Sequence, residues 1–195
     1  MEFQHFAHVL ETATLLYDER AIDNALDSLA EKINRDYINL NPIFMVVMNG
    51  GLIFAGKLLP KLTVPMQVDY CHATRYRDET SGCSIEWKVK PRQNICGRHV
   101  MLVDDILDQG QTLQAIIDQC LTLRAASVKT AVMIEKCHSR KASKGMKPDY
   151  CELQAPDEYL FGCGMDYKGY CRNTGSIYIL DKKFYSNEGR ICLSL

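Results

Sequence analysis

Apolar positions recur at helical spacing over residues 8–37. Val9, Ala13 and Leu16 begin one predicted helix, and Ile22, Leu26, Leu29, Ala30 and Ile33 continue a second, with Asp18, Asp23 and Asp27 outside the stripe. The period then changes. Residues 43–48 read IFMVVM, six consecutive apolar positions, short and rich enough in β-branched types to suit a strand buried on both faces. The run stops at Asn49, Gly50 and Gly51, and a helical pattern resumes over residues 52–59. Residues 64–70 predict another strand. Residues 72–98 are polar, with the only tryptophan, Trp87, near their end, and predict a long excursion such as a hairpin, the usual material of a lid. Residues 100–103 are the next buried strand. Leu113, Ile116, Ile117, Cys120 and Leu121 then form a helical stripe. A strand is predicted over 128–134, and shorter ones over 152–155, 159–161 and 177–180. Strands alternating with helices through the middle imply an α/β fold, a parallel sheet with right-handed crossovers. The helical N-terminus and the short C-terminal strands imply a smaller lobe.

Composition narrows the reading. At 195 residues and 47% apolar content, the chain is one domain with ample material for a core. With 23 Lys and Arg against 24 Asp and Glu, the net charge is −1, so no overall basic excess favours nucleic acid as a partner. The longest apolar stretch, residues 43–59, is interrupted by Asn49, Gly50, Gly51 and Lys57, so no membrane span is expected. The nine cysteines are odd in number, and no two have the two-residue gap of a zinc or redox motif. Several lie in apolar runs, where a thiol behaves as a small hydrophobe. The first six residues carry Glu2 and His5 and lack a basic segment followed by an apolar one. Both features point to a reducing, cytoplasmic setting.

The informative segment is VMLVDDILDQGQT, residues 100–112. A buried strand runs straight into Asp104 and Asp105, with Asp108 three residues on. Ligands of open α/β sheets bind at the carboxyl ends of strands. Adjacent carboxylates repel there unless a polyhydroxyl group or a metal-bound ligand lies between them. Gly110 permits a tight turn, and residues 109–112 open an amphipathic helix whose first N–H groups suit an anion. Acceptors for sugar hydroxyls beside donors for a phosphate describe a socket for ribose 5-phosphate. The plain alternative is an acidic helix start that only offsets the dipole. The chain has neither GxxxxGK[ST] nor a GxGxxG opening a helix, and the Asp spacing does not make an EF-hand.

These residues resemble the signature of type I phosphoribosyltransferases, which bind phosphoribosyl pyrophosphate (PRPP). MNGG at 48–51 resembles their pyrophosphate loop, and RYRDETSG at 75–82 the start of their mobile loop. EKCHSRK at 135–141, KPDY at 147–150, PDEYLFG at 156–162 and GMDYKGYCRN at 164–173 are similar to the 6-oxopurine (hypoxanthine-guanine) branch. The likeness runs in order through about residues 43–180. It implies a single domain over 1–195, with a sheet core over about 38–155 and a hood from about 1–37 and 156–195.

The resemblance also implies roles. Asp104 and Asp105 would take the ribose hydroxyls, directly or through a metal, and Asp108 would act as general acid/base near purine N7. Gln109, Gly110, Gln111 and Thr112 would hold the 5′-phosphate. Asn49, Gly50 and Arg172 would face pyrophosphate. Lys136 would donate to the purine O6, where a cation disfavours the 6-amino group of adenine. Tyr159 would stack on the base and Leu160 would offer its backbone to the base edge. Asp166, with Asp104 and Asp105, would bind Mg²⁺. Arg75 and Tyr76 would belong to the lid. A cis peptide is implied at Met48–Asn49. The implied reaction is purine salvage: PRPP and hypoxanthine or guanine give IMP or GMP and pyrophosphate, in a homodimer or homotetramer. A PRPP-binding RNA regulator of the same fold is the rival reading. Three departures stand out: Asn49 where many relatives carry lysine, Gln109 and Gln111 where Thr and Lys are common, and Asp104 where Glu is common.

Overall fold

The computed structural model describes residues 3–75 and 85–185. Helix α1 (Phe3–Thr12) is followed by strand β1 (Thr14–Tyr17) and helix α2 (Glu19–Tyr37). Leu16 therefore lies in a strand, not in the first helix as its spacing predicts. The partner strand is distant in sequence: β1 pairs antiparallel with β9 (Ile177–Ile179), Leu16 standing at a bulge between the paired Leu15 and Tyr17, and tertiary pairing overrides the local period. Asp18 caps α2, its side chain accepting from the Ala21 amide at 2.8 Å.

The main sheet contains β2 (Ile43–Val47), β3 (Gln67–Arg75), β4 (Ile85–Val89), β5 (His99–Leu107), β6 (Ser127–Lys136) and β7 (Leu153–Ala155). Their order is β4-β3-β2-β5-β6-β7; every pairing is parallel except β3 with β4. Helix α3 (Gly51–Leu58) follows β2, and α4 (Gln111–Thr122) follows β5. The expected α/β parallel sheet with flanking helices is present. β8 (Leu160–Phe161) joins β1 and β9 in a separate antiparallel sheet of order β1-β9-β8.

The strand limits differ most from the sequence pattern at β3 and β5. β3 begins at Gln67 rather than at residue 64 and runs on to Arg75. β5 continues through Leu107, because β6 supplies a partner as far as the Leu107–Glu135 pair. Asp104 and Asp105 thus sit within the strand and not after it. Residues 72–98 do contain hairpin arms, His72 pairing with Val89 and Arg75 with Ile85. The tip, including Tyr76, lies outside the described residues.

Both faces of the sheet's centre are buried, as the IFMVVM run requires. Phe44, Val46, Met101, Val103 and Met133 share a cluster with Ile22, Leu26 and Ile33 of α2 and Phe54 and Leu58 of α3. The alternate residues Ile43, Met45, Val47, Val100, Leu102 and Val132 pack with Leu113, Ile116 and Cys120 of α4. α2 therefore shares its core with the large sheet. A third cluster joins Val9 of α1 to Phe161, Tyr167 and Leu180. Among the described residues seven cysteines are free, and no helix is long and apolar enough to cross a membrane.

Candidate active site

Because β2, β5 and β6 are parallel, their carboxyl ends share one edge. The register of β5 on β6 is a constant offset of 28 residues, from His99–Ser127 to Leu107–Glu135. The next residues in that register are Asp108 and Lys136. Lys136 Nζ lies 3.1 Å from Asp108 Oδ2, and His138 Nε2 lies 2.6 Å from Oδ1. Lys136 is only 5% exposed, so it is not the solvated strand-end lysine that its position alone would suggest. Burial pushes the Asp108 carboxyl up, but the charge of Lys136 and the hydrogen bonds from His138 and Lys136 outweigh it, leaving the group below its ordinary range. Lys141 reaches across behind the pair. Its Nζ donates to the carbonyls of Leu107, Asp108 and Lys136 at 3.0, 2.8 and 2.8 Å. Burial lowers the Lys141 ammonium from its usual range.

Gly110 opens α4 in the left-handed conformation, φ 77°. A Cβ there would approach Leu107 Cδ1 and Met146 Sδ to 2.7 Å, so both the turn and the packing require glycine. Gln109, Gln111 and Thr112 stand at this helix start, with Gln111 Nε2 donating to Gln109 Oε1 at 3.1 Å. An α-helix leaves its first N–H groups without acceptors inside the helix.

The turn after β2 meets the carboxylates from the other side. The Met48–Asn49 peptide is cis, as the resemblance implies. Gly50 packs its backbone on Asp105: a Cβ at Gly50 would fall within 2.2–2.8 Å of that carboxylate. Burial, partly offset by Arg172, raises Asp105 to about 6. Burial and the neighbouring charge of Asp105 raise Asp104 well above the usual carboxylate range. The backbone N–H of Asp105 donates to Asp104 Oδ1 at 3.0 Å.

The C-terminal segment closes the site. Its turns use positive φ at Gly162, Cys163 and Gly164. Asp166 Oδ2 accepts from the Gly169 amide at 2.7 Å, and Asp166 Oδ1 pairs with Arg172 at 2.6 Å. Arg172 also donates to the Gly164 carbonyl at 2.7 Å and lies 3.9 Å from Asp105. The Tyr159 hydroxyl donates to the Asp166 carbonyl at 2.9 Å, and burial and Asp166 raise that phenol to about 12. Asp105, Ile106, Lys136, Tyr159, Leu160, Met165 and Asp166 line one pocket of about 40 Å³.

The structure thus joins Asp105, Lys136, Tyr159, Leu160 and Asp166 around one pocket, with Asp108 bonded to Lys136. It does not gather Asp104, Asp105 and Asp166 as ligands for one ion. Asp104 and Asp105 adjoin one another, but the guanidinium of Arg172 stands between Asp105 and Asp166. Among the described residues the one set of three such side chains within an ion's reach is Asp108, His138 and Asp157. Hydrogen bonds already account for it: His138 bonds Asp108, and Arg140 Nη2 donates to both oxygens of Asp157 at 2.6 and 2.8 Å. His138 and Lys141 were not singled out by sequence; their nearness to Lys136 in EKCHSRK was the only signal.

Residues 13–168 match the phosphoribosyl transferase domain. The chain belongs to the phosphoribosyl transferase family. Within it, the chain is 32% identical over 174 residues to the hypoxanthine-guanine phosphoribosyltransferase of Streptococcus pneumoniae, covering 89% of this chain and 96% of that one. It is 28% identical over 172 residues to the hypoxanthine-guanine-xanthine phosphoribosyltransferase of Tritrichomonas foetus, covering 88% and 93%. The solved hypoxanthine phosphoribosyltransferase of Trypanosoma cruzi superposes with a TM-score of 0.80 at 26% identity, over 88% of this chain and 93% of that one. That of Staphylococcus aureus shares the fold, with a TM-score of 0.85 at 22% identity over 95% and 100%.

Proposed function

We propose that this protein is a purine-salvage enzyme that transfers the 5-phosphoribosyl group of PRPP to N9 of hypoxanthine or guanine, yielding IMP or GMP and pyrophosphate. The observation that carries the reading is the Asp108–Lys136 pair, 3.1 Å apart at the edge of the parallel sheet, beside the pocket that Asp105 lines. One group can take a proton at purine N7 while its neighbour donates to O6. An adenine amino group would meet the Lys136 ammonium donor to donor.

The C1′–oxygen bond breaks ahead of full bonding to N9, so positive charge grows on the sugar and negative charge on pyrophosphate. Asp104 and Asp105 hold the ribose hydroxyls, and the start of α4 (Gln109, Gly110, Gln111 and Thr112) holds the 5′-phosphate. Arg172 turns its donors from Asp166 and Gly164 to the leaving pyrophosphate, beside Asn49 and Gly50. Tyr159 stacks on the base, and Leu160 presents its backbone to the base edge, both already lining the pocket. Carboxylate oxygens suit Mg²⁺. Asp166 on one side of Arg172, or the Asp104–Asp105 pair on the other, would offer that ion its oxygens, and the ion would supply positive charge at the pyrophosphate. Arg75 and Tyr76 belong to a lid that keeps water from the cation-like sugar. The test is a panel of purine and pyrimidine bases with PRPP and Mg²⁺, following nucleotide formation. Turnover with hypoxanthine or guanine and none with adenine is expected; turnover restricted to adenine, orotate or uracil refutes the base assignment.

A further inference from the structure

We infer that His138 is a positioning residue for the base-side chemistry: its ring fixes the Asp108 carboxylate while Lys136 turns to the purine. The inference rests on the proposed function, because only a purine at this site draws Lys136 away.

The geometry sets the tautomer. The backbone N–H of Arg140 donates to His138 Nδ1 at 3.1 Å. A ring nitrogen that accepts carries no proton, so the proton of the neutral ring is on Nε2, and it points at Asp108 Oδ1 at 2.6 Å. Both ring nitrogens are committed within the protein. None is left for a ligand, which makes His138 a holder of Asp108 and not a second acid or base. The ring is itself held, its side chain only 6% exposed. Arg140 is clamped to Asp157 through two bonds, and Lys141 ties the same loop to three carbonyls at the ends of β5 and β6.

The need for a second donor follows from Lys136. Its ammonium now holds Asp108 Oδ2 at 3.1 Å, yet the same ammonium must serve purine O6. When it does, His138 is the other side-chain donor to Asp108 among the described residues. The terminal torsion of an aspartate is broad, so a carboxylate without that bond swings out of line with N7. The charged groups around it are Lys136 and Glu135 at the end of β6, and Lys141 and the Arg140–Asp157 pair beyond.

The test compares His138→Leu with His138→Gln, whose amide nitrogen reproduces the Nε2 donor. With PRPP, Mg²⁺ and hypoxanthine, His138→Leu is expected to lower kcat about tenfold or more and to leave KM for PRPP within about twofold. Its acid limb in the kcat–pH profile moves up by about half a pH unit or more, since a carboxylate that loses a donor holds its proton more tightly. His138→Gln restores kcat to within about threefold and returns the limb to its wild-type position. Should His138→Leu melt below the assay temperature, His138→Asn, whose shorter amide cannot reach Oδ1, replaces it. Nitrogen NMR of the wild-type ring is expected to show the proton on Nε2. An unchanged kcat and acid limb without the ring, or a proton on Nδ1, overturns the inference. A wild-type protein that forms no nucleotide from any base overturns the underlying reaction, and the catalytic role of His138 with it; the ring spectrum then still reports whether the bond to Asp108 exists.

Discussion

Asp105→Asn should make the ligand-free protein more stable at neutral pH while destroying its use of PRPP. In the fold, burial raises the Asp105 carboxyl from its ordinary 3.8 to about 6, against the pull of Arg172. A carboxyl whose folded pKa exceeds its unfolded one favours folding while protonated. That favour is complete below about pH 4 and disappears as the pH rises through about 6. At about 1.4 kcal/mol per pH unit, the loss between those limits is about 3 kcal/mol. Asparagine is nearly isosteric and does not titrate, so it avoids the loss. It also keeps the backbone approach of Gly50, which the Asp105 carboxylate contacts. Arg172 retains Asp166 at 2.6 Å. For a chain of this size about 3 kcal/mol corresponds to roughly 6–12 °C in Tm. Thermal melts of both proteins between about pH 4.5 and about pH 7.5 should show a gap that widens with pH in favour of the asparagine variant. Added PRPP and Mg²⁺ should raise Tm for the wild type alone. A gap that stays constant with pH, or a variant less stable at neutral pH, would refute the claim that this carboxylate is costly until a ligand meets it.

Other substitutions probe the remaining links. Asp108→Asn should lower kcat by about 100-fold or more while PRPP affinity, read by calorimetry, stays within about threefold, as removal of a general acid/base demands; equal losses in both would contradict that role. Lys136→Gln should reduce the hypoxanthine-over-adenine ratio of kcat/KM by about tenfold or more, since the buried Lys136 carries the donor placed to read a 6-oxo group. An unchanged ratio would assign O6 to another residue. Gly110→Ala forces a side chain into φ 77° and against Leu107 and Met146 at 2.7 Å, and should cost about 1–3 kcal/mol in urea unfolding.

The sheet was legible because its strands are buried on both faces and carry unbroken apolar runs. IFMVVM at residues 43–48 becomes β2 and its neighbours alternate between two clusters. Limits were less legible where the partner is remote. Leu16 keeps helical spacing but is held in β1 by a strand some 160 residues later. β5 extends past Val103 only because β6 is long enough to pair with it. The individual members of the site could be nominated from residue type and motif. The role of Arg172 as the present partner of Asp166 could not, because it depends on the tight turn between them, with positive φ at Lys168, Gly169 and Cys171.

One distance in the site was in principle readable. If the parallel strands keep a 28-residue offset, Asp108 and Lys136 must meet, and they do so at 3.1 Å. Nothing comparable could locate His138 or Lys141. Both follow β6 in a segment with no pairing of its own, and a segment without a ladder has no register to extrapolate. Their positions come instead from single side chains: Lys141 filling three carbonyls, Arg140 gripping Asp157, and a backbone amide turning the His138 ring toward Asp108. The reacting carboxylate is therefore set by the sheet in one direction and by a loop in the other. Loss of the Lys141 ties should disturb Asp108 and Lys136 together, because the same ammonium binds the carbonyls of both.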